Sequence, residues 1–479
     1  VRAPPRDADA DVAAVRDAGA AVRDADAAVR AVWRGHAPNC SSSGSVVGVA
    51  LVSAVAAATV VNIWAARFLR WRRGVEEGPS GGGPGGPGSA RLRREADGSG
   101  LLHLQPEDPD ESGGIVVIAP GHLPEGPVPA EVGAAASAAV PGALRAPTEV
   151  HLAVTSACPV ACSACYLDAG PGQSAPEPDA AALRADLDRL AAMGVFEVAF
   201  GGGEALLRHD LVELCQHARD VGLLPNLTTS GFGLTEALAR QLAPLVGQVN
   251  VSIDGLGATY RAARGWSGAD RGLATVRLLR QAGIRVGVNT VLSAPLLEEE
   301  GGLEVLGRAL AAAGAGEWQW LRLKPVGRGR DTWDQLAPSP AALATLWPRA
   351  LALDAELDLA LRFDCALVPF IAAHGPPVER LERLGVRGCP GGHGLWARDA
   401  AGAWAPCSFA AGHPVDDPVT AWADDPTLRA WRDRAATPPE PCASCDYAAV
   451  CRGGCRVVAE HLVGDPMAAD PQCPRVAIG

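Results

Sequence analysis

Cys158, Cys162 and Cys165 stand at C-x3-C-x2-C spacing within residues 151–170, just after the apolar run 150–154. A strand sends alternate side chains to opposite faces, so three thiols this close need a loop curled around a common centre. Thiolates are soft ligands suited to iron–sulfur clusters and to zinc. A structural zinc takes four ligands, and this loop offers three. On a 4Fe–4S cluster, three thiolates leave one iron open to a further ligand. With 13 cysteines in 479 residues, such a triplet arises by accident in roughly one chain in a hundred.

From Thr148 onward, apolar runs of strand length alternate with helical stretches. Strands are predicted over 149–155, 195–200, 224–229, 248–253, 284–292 and 317–324. Helices are predicted between them over 179–193, 210–221, 234–245, 270–282 and 303–313. Repeated β/α units predict an α/β fold with a parallel sheet, closed as a barrel or open; the expected form is a partial (β/α)6 TIM-like barrel. Barrels carry their chemistry at the C-terminal ends of strands, and the distinctive residues fall there. The cysteine loop follows the first strand. Gly201, Gly202, Gly203 and Glu204 follow the second. Glycines let a backbone approach a ligand closely, and unpaired carbonyls with Glu204 suit an ammonium group; a plain tight turn is the alternative. Ser252 and Asp254 end the fourth strand, with Arg264 beyond; Asp254 equally suits a turn cap. Asn289 alternates with apolar neighbours and points into the barrel. Arg322 and Lys324 share one face of the sixth strand. Lys324 is the only lysine among 42 Lys and Arg residues, which suits a task for a compact point charge.

The second cysteine group is C-terminal: Cys389, then Gly402-x4-Cys407, Cys442-x2-Cys445-x5-Cys451-x3-Cys455, and Cys473. The central four occur by accident in roughly fewer than one chain in a thousand. A pair of structural zincs is the competing reading. Cys365 sits just past a candidate strand at 358–363, and Cys215, within a helix, reads as core.

The triplet, the Gly202-Gly203-Glu204 element and the seven C-terminal cysteines together resemble the radical S-adenosylmethionine (SAM) enzymes that carry a C-terminal SPASM domain. The resemblance covers 148–479. It departs at Ala164, where the family has an aromatic, although Tyr166 follows. It implies three 4Fe–4S clusters. Cys158, Cys162 and Cys165 would hold the one whose open iron chelates SAM. Cys389, Cys407 and Cys455 would hold a first auxiliary cluster, with Cys365, an open site or a substrate ligand in fourth place. Cys442, Cys445, Cys451 and Cys473 would hold a second. Gly202, Gly203 and Glu204 would bind the SAM amino group, Ser252 and Arg264 its ribose and carboxylate, and Asn289 would face it. Lys324 would stand near SAM or substrate as a catalytic charge. The implied activity is that of an oxidoreductase or maturase. A low-potential donor such as flavodoxin or ferredoxin reduces the cluster, a 5′-deoxyadenosyl radical forms, and a peptide or protein is crosslinked or oxidised. Formylglycine formation in a sulfatase and small-molecule oxidation are alternatives of the same chemistry. A non-catalytic iron–sulfur electron carrier and a zinc scaffold are alternatives of other classes.

The rest of the chain is less specific. Net charge is −12 with no basic tract, which argues against nucleic acid as partner. Cysteines grouped at metal-ligand spacing imply a reducing, cytoplasmic compartment. Residues 1–37 repeat every seven positions, as a thin-seamed helix or as translated upstream sequence. Residues 44–66 carry no charge and precede Arg67, Arg70, Arg72 and Arg73. They suit a membrane helix anchored from the cytoplasmic face or a packed helix. Residues 39–48, with Cys40, also read as a fused peptide substrate. The expected division is 1–73, an N-terminal segment; 74–147, a linker with short strands near 91–94 and 114–119; 148–337, the barrel; 338–385, bridging helices; and 386–479, a small iron–sulfur domain. Residues 74–147 are too short and proline-rich for a winged-helix peptide-recognition domain.

Overall fold

The computed structural model describes residues 90–94, 100–104, 114–118, 144–172 and 177–476. The chain divides into Val1–Gly81 and Gly82–Gly479. The heptad repeat, Cys40, the 44–66 segment and the glycine-rich linker lie outside the described residues. Among the described residues, no helix is long and apolar enough to cross a membrane.

The strands of the main sheet have a reversed pattern of polarity. In β4 (Glu149–Thr155), Val150, Leu152 and Val154 are buried, whereas Glu149, His151 and Ala153 line a central cavity. In β5 (Glu197–Gly202), Val198 and Phe200 are buried while Glu197, Ala199 and Gly201 face that cavity. Period-two alternation thus packs the large apolar side chains against helices and turns small and polar ones, Glu149, His151, Ala153, Glu197, Ala199 and Gly201, toward the lumen. The helix Ala180–Met193 shows the outer layer. Asp179 Oδ1 accepts from the Ala182 N–H at 2.6 Å. Leu183, Leu187 and Leu190 are buried, and Gly194 ends the helix at φ 90°.

The predicted strands all form. After β4 and β5 come β6 (Leu224–Thr229), β7 (Val249–Ser252), β8 (Val286–Leu292) and β9 (Glu317–Arg322). The candidate strand at 358–363 forms as β10 (Ala360–Phe363), parallel to β9. Unforeseen were β11 (Leu395–Arg398) and β12 (Trp404–Ala405). β11 pairs in parallel with β4, Leu395 opposite Glu149 and Arg398 opposite Leu152. The order is β10-β9-β8-β7-β6-β5-β4-β11-β12. The cysteine-rich segment therefore shares the barrel's sheet, which stays open between β10 and β12.

Two contacts fix the ends of this sheet. At the N-terminal side, β1 (Ala90–Arg94), β2 (Gly100–Leu104) and β3 (Gly114–Ile118) form an antiparallel sheet, of which β2 was not anticipated. Arg93, fully buried, donates to the Ala146, Pro147 and Gly194 carbonyls at 2.9, 3.1 and 2.8 Å. His103 pairs with Glu197 at 2.8 Å. At the other side, Arg322 at the end of β9 pairs with Asp470, 2.5 Å from Nη1 to Oδ2, both fully buried. Asp470 also accepts from the Cys455 N–H at 3.0 Å, and its carbonyl accepts from the Cys473 N–H at 3.0 Å. This one ion pair ties the barrel to two cysteine-bearing loops. Asp470→Ala leaves the Arg322 charge buried and unpaired. It is expected to lower stability by about 3–5 kcal/mol, read as a lower urea midpoint by tryptophan fluorescence; an unchanged midpoint would refute this coupling.

Candidate active site and cysteine centres

The lumen is a cavity of 940 Å³. Cys158, Cys162 and Cys165 line it together with Gly201, Gly202, Gly203, Ser252, Arg264 and Asn289. Lys324, Cys365, Cys389, Cys407 and Cys455 line the same space. The triplet loop and one part of the C-terminal cysteine group therefore open onto a single cavity.

The turn after β5 holds the start of the cysteine loop. Gly203 N–H donates to the Thr155 carbonyl and Glu204 N–H to the Ala157 carbonyl, each at 2.8 Å. A Cβ on Gly202, whose φ is +118°, would lie 2.1 Å from the Thr155 oxygen. One on Gly203 would lie 2.1 Å from the Ala157 oxygen. These glycines are required by backbone packing. Gly201 is different, because a Cβ there meets nothing within 4 Å and Gly201 lines the cavity. The Glu204 carboxylate, 1% exposed, accepts from Thr229 Oγ1 (2.6 Å), Leu206 N–H (3.2 Å), Ser230 N–H (2.8 Å) and Ser230 Oγ (2.5 Å). Those bonds fill its acceptor positions, so in this structure Glu204 acts on the neighbouring strand end.

Arg264 stands at the loop itself. Its Nη1 lies 3.7 Å from Cys162 Sγ, and the Trp266 Nε1 lies 3.5 Å from the same sulfur. Asp254 accepts from Arg264 Nε at 2.5 Å and from the Val291 N–H at 2.8 Å, so this carboxylate aims the arginine. Burial opposes the Arg264 charge, but Asp254 and Cys162 outweigh it and raise its pKa. Burial pushes the Cys158 thiol up to about 11. Arg328, which sequence reading did not single out, donates from Nε to the Cys162 carbonyl at 2.8 Å and from Nη1 to Asp168 at 2.7 Å. Ser252 and Asn289 are register neighbours on β7 and β8. Asn289 Oδ1 is a buried acceptor without a partner.

Lys324 is at the other wall. It pairs with Asp364, donates to the Arg322 carbonyl at 3.0 Å and lies 5.0 Å from the Phe409 ring centre. Burial opposes its charge, but Asp364 outweighs it and raises the pKa, so it remains an ammonium. Phe409 in turn packs on Tyr166 of the cysteine loop, ring centres 4.8 Å apart. The Cys365 thiol donates to Asp364 Oδ1 at 3.3 Å, and its neighbour Cys389 is held below the usual thiol range by the nearby Cys365 thiol and by Arg456, against burial. Burial and nearby Cys389 push Cys407 up to about 12. Cys442, Cys445, Cys451 and Cys473 line a separate pocket of 180 Å³ with Pro369, Ala372 and Tyr447. Cys215 is fully buried among core side chains, its thiol pushed up to about 12 by burial. Among the described residues, no three His, Cys, Asp or Glu side chains stand together in an arrangement that could hold a metal ion.

The donor chemistry suits the groups the sequence implied, since cysteine thiols line both spaces. The orphaned Asn289 oxygen and the bare face of Gly201 leave space and an acceptor for a polar ligand. One further arrangement went unnoticed in the sequence: His151 shares a hydrogen bond with Ser408 Oγ at 2.7 Å and lies 3.4 Å from Glu149. Its signal was the alternation of Glu149 and His151 with buried Val150 and Leu152.

Residues 152–300 match the Radical SAM superfamily. The AdoMet-dependent heme synthase of Methanosarcina barkeri is 30% identical over 350 residues, 69% of this chain and 97% of that protein. The PqqA peptide cyclase of Ruegeria pomeroyi is 30% identical over 351 residues, 69% of this chain and 88% of that protein. Streptococcus suis SuiB, solved with its precursor peptide SuiA, shares the fold at TM-score 0.57 and 18% identity, over 69% of this chain and 77% of that one. With its cysteine loop and glycine turn on a partial barrel, the chain belongs to the radical SAM superfamily.

Proposed function

We propose that this radical SAM enzyme modifies a peptide, by a thioether or carbon–carbon crosslink or by oxidation, inside the lumen. The observation that carries the reading is the single 940 Å³ cavity joining the triplet loop to Cys389, Cys407 and Cys455. That volume is at the upper end of the ~300–1,000 Å³ of small-molecule sites, enough for SAM beside a short peptide segment. Cys158, Cys162 and Cys165 would hold the SAM-binding 4Fe–4S cluster, and a low-potential donor such as flavodoxin or ferredoxin would reduce it. When bound, cluster and SAM supply a 5′-deoxyadenosyl radical that takes a hydrogen atom from substrate. Cys389, Cys407 and Cys455, with Cys365 as fourth ligand, would hold one auxiliary cluster against the cavity. Cys442, Cys445, Cys451 and Cys473 would hold the other behind it.

The chain's own residues orient and enclose the reactants. Gly201 leaves room for SAM against β5, with Gly202 and Gly203 presenting backbone to its amino group. Asn289 and Ser252 offer polar contacts across the lumen, and Arg264 places its charge beside Cys162. Tyr166 packs on Phe409 at the lumen wall, and such apolar cover helps exclude water from a radical. Lys324, held by Asp364, stabilises negative charge at the cysteine wall and is too firmly protonated to act as a base. A small macrocyclic substrate is the second reading, favoured by the heme-synthase relative.

Two glycine variants separate packing from binding. Gly203→Ala drives a methyl into the Ala157 carbonyl and is expected to lose the iron of the triplet loop. Gly201→Ala is expected to keep its iron and stability but to bind SAM at least ~10-fold more weakly, about 1.4 kcal/mol, by equilibrium dialysis. Equal SAM affinity in Gly201→Ala and the unaltered chain would remove SAM from this face.

The substrate class is tested by anaerobic co-expression with short reading frames beside the gene, followed by mass measurement of each peptide. Loss of two hydrogens is expected, with fragmentation placing the bond. Unmodified peptides, despite SAM cleavage, would turn the search to macrocycles and other small molecules.

A further inference from the structure

We infer that Arg456 sets the reduction potential of the centre held by Cys389, Cys407 and Cys455, by donating hydrogen bonds to its sulfur atoms from Nε and Nη1. The inference rests on the reading of those cysteines as a cluster site.

Arg456 follows Cys455 directly and begins the helix Arg456–Val463. It is 1% exposed and lines the lumen with the three cysteines. Its guanidinium lies 4.6 Å from the Trp431 ring centre, and Nη2 donates to the Trp431 carbonyl. Nε and Nη1 are buried and have no acceptor. Buried polar groups are hydrogen-bonded with few exceptions. Among the described residues, no other side chain has two buried donors left over. Arg322 and Arg432 each leave one, and their other donors are spent on Asp470 and on the Gly392 and Trp422 carbonyls.

The neighbouring cations are already committed. Lys324 is neutralised by Asp364, and Arg452 Nη1 donates to the Cys389 carbonyl at 3.1 Å. Arg456 has no carboxylate partner among the described residues, and an arginine stays cationic at neutral pH. A cluster carried by thiolates is an anion whose sulfurs accept hydrogen bonds. Net charge and hydrogen bonds to sulfur set such potentials, and both raise the potential here.

A raised potential suits an electron acceptor. Removing two hydrogens from a substrate releases one hydrogen atom, which the SAM-derived radical takes, and one proton and one electron. The proton goes to solvent or a base. The electron goes to an oxidised 4Fe–4S cluster, which is reduced by one electron. Arg456 makes the cluster at the lumen wall that acceptor.

The test uses the full chain, anaerobically reconstituted, in the C158A/C162A/C165A background, so that only auxiliary signals remain. Potentiometric titration followed by electron paramagnetic resonance reads the midpoints. R456M is expected to move one midpoint negative by at least 59 mV, a tenfold change for a one-electron couple, and to leave the other in place. R456K, which keeps the charge without the fork, is expected to fall between and covers the case in which R456M does not fold. Midpoints unmoved in a variant that retains its iron would overturn the role of Arg456. A background protein that binds no iron would instead overturn the cluster reading, and this inference with it.

Discussion

Everything at the open end of the barrel depends on how closely the turn after β5 approaches the backbone of residues 155–157. No side chain fits between the Gly203 Cα and the Ala157 carbonyl. That contact fixes where the cysteine loop leaves β4, and hence where Cys158, Cys162 and Cys165 stand relative to the lumen. Glu204 extends the constraint to the next strand end through Thr229 and Ser230. The same glycine run thus does two jobs: Gly202 and Gly203 seal backbone against backbone, and Gly201 keeps one face of the cavity bare.

The barrel and the cysteine-rich region behave as one structure because both margins of the sheet carry a bond between them. β11 adds to β4 at one margin, and the buried Arg322–Asp470 pair joins the end of β9 to the loops of Cys455 and Cys473. Between those margins lies the lumen, left open because the large apolar side chains of β4 and β5 are turned outward. A radical enzyme gains from such a shape. The triplet loop and Cys389, Cys407 and Cys455 open onto the same space.

Much of this was legible in the sequence. The strands of the barrel are long apolar runs at regular spacing, and such runs survive tertiary context. The cysteine groups announce themselves by spacing, and Cys442, Cys445, Cys451 and Cys473, which the family resemblance put together, line one pocket. What escaped was set by distant parts of the chain. β11 and β12 are short, and nothing local marks them as an extension of β4. Trp266, which reaches Cys162 where the loop has only Ala164, lies 104 residues away in sequence. Arg328 lies 166 residues from the carbonyl it holds. Glu204 and Asp254 were visible as chemistry, but which groups they would hold depended on neighbours that only the fold supplies.

The central claim is that this chain carries a SAM-binding cluster and one auxiliary cluster at the lumen, with a second auxiliary cluster in the pocket behind it. The most direct measurement is the iron content and paramagnetic resonance of the anaerobically reconstituted protein, reduced with dithionite, before and after SAM is added. The account predicts about twelve irons per chain as three 4Fe–4S centres, with SAM altering the signal of one and leaving the others. A colourless zinc-bearing protein, or clusters indifferent to SAM, would contradict it.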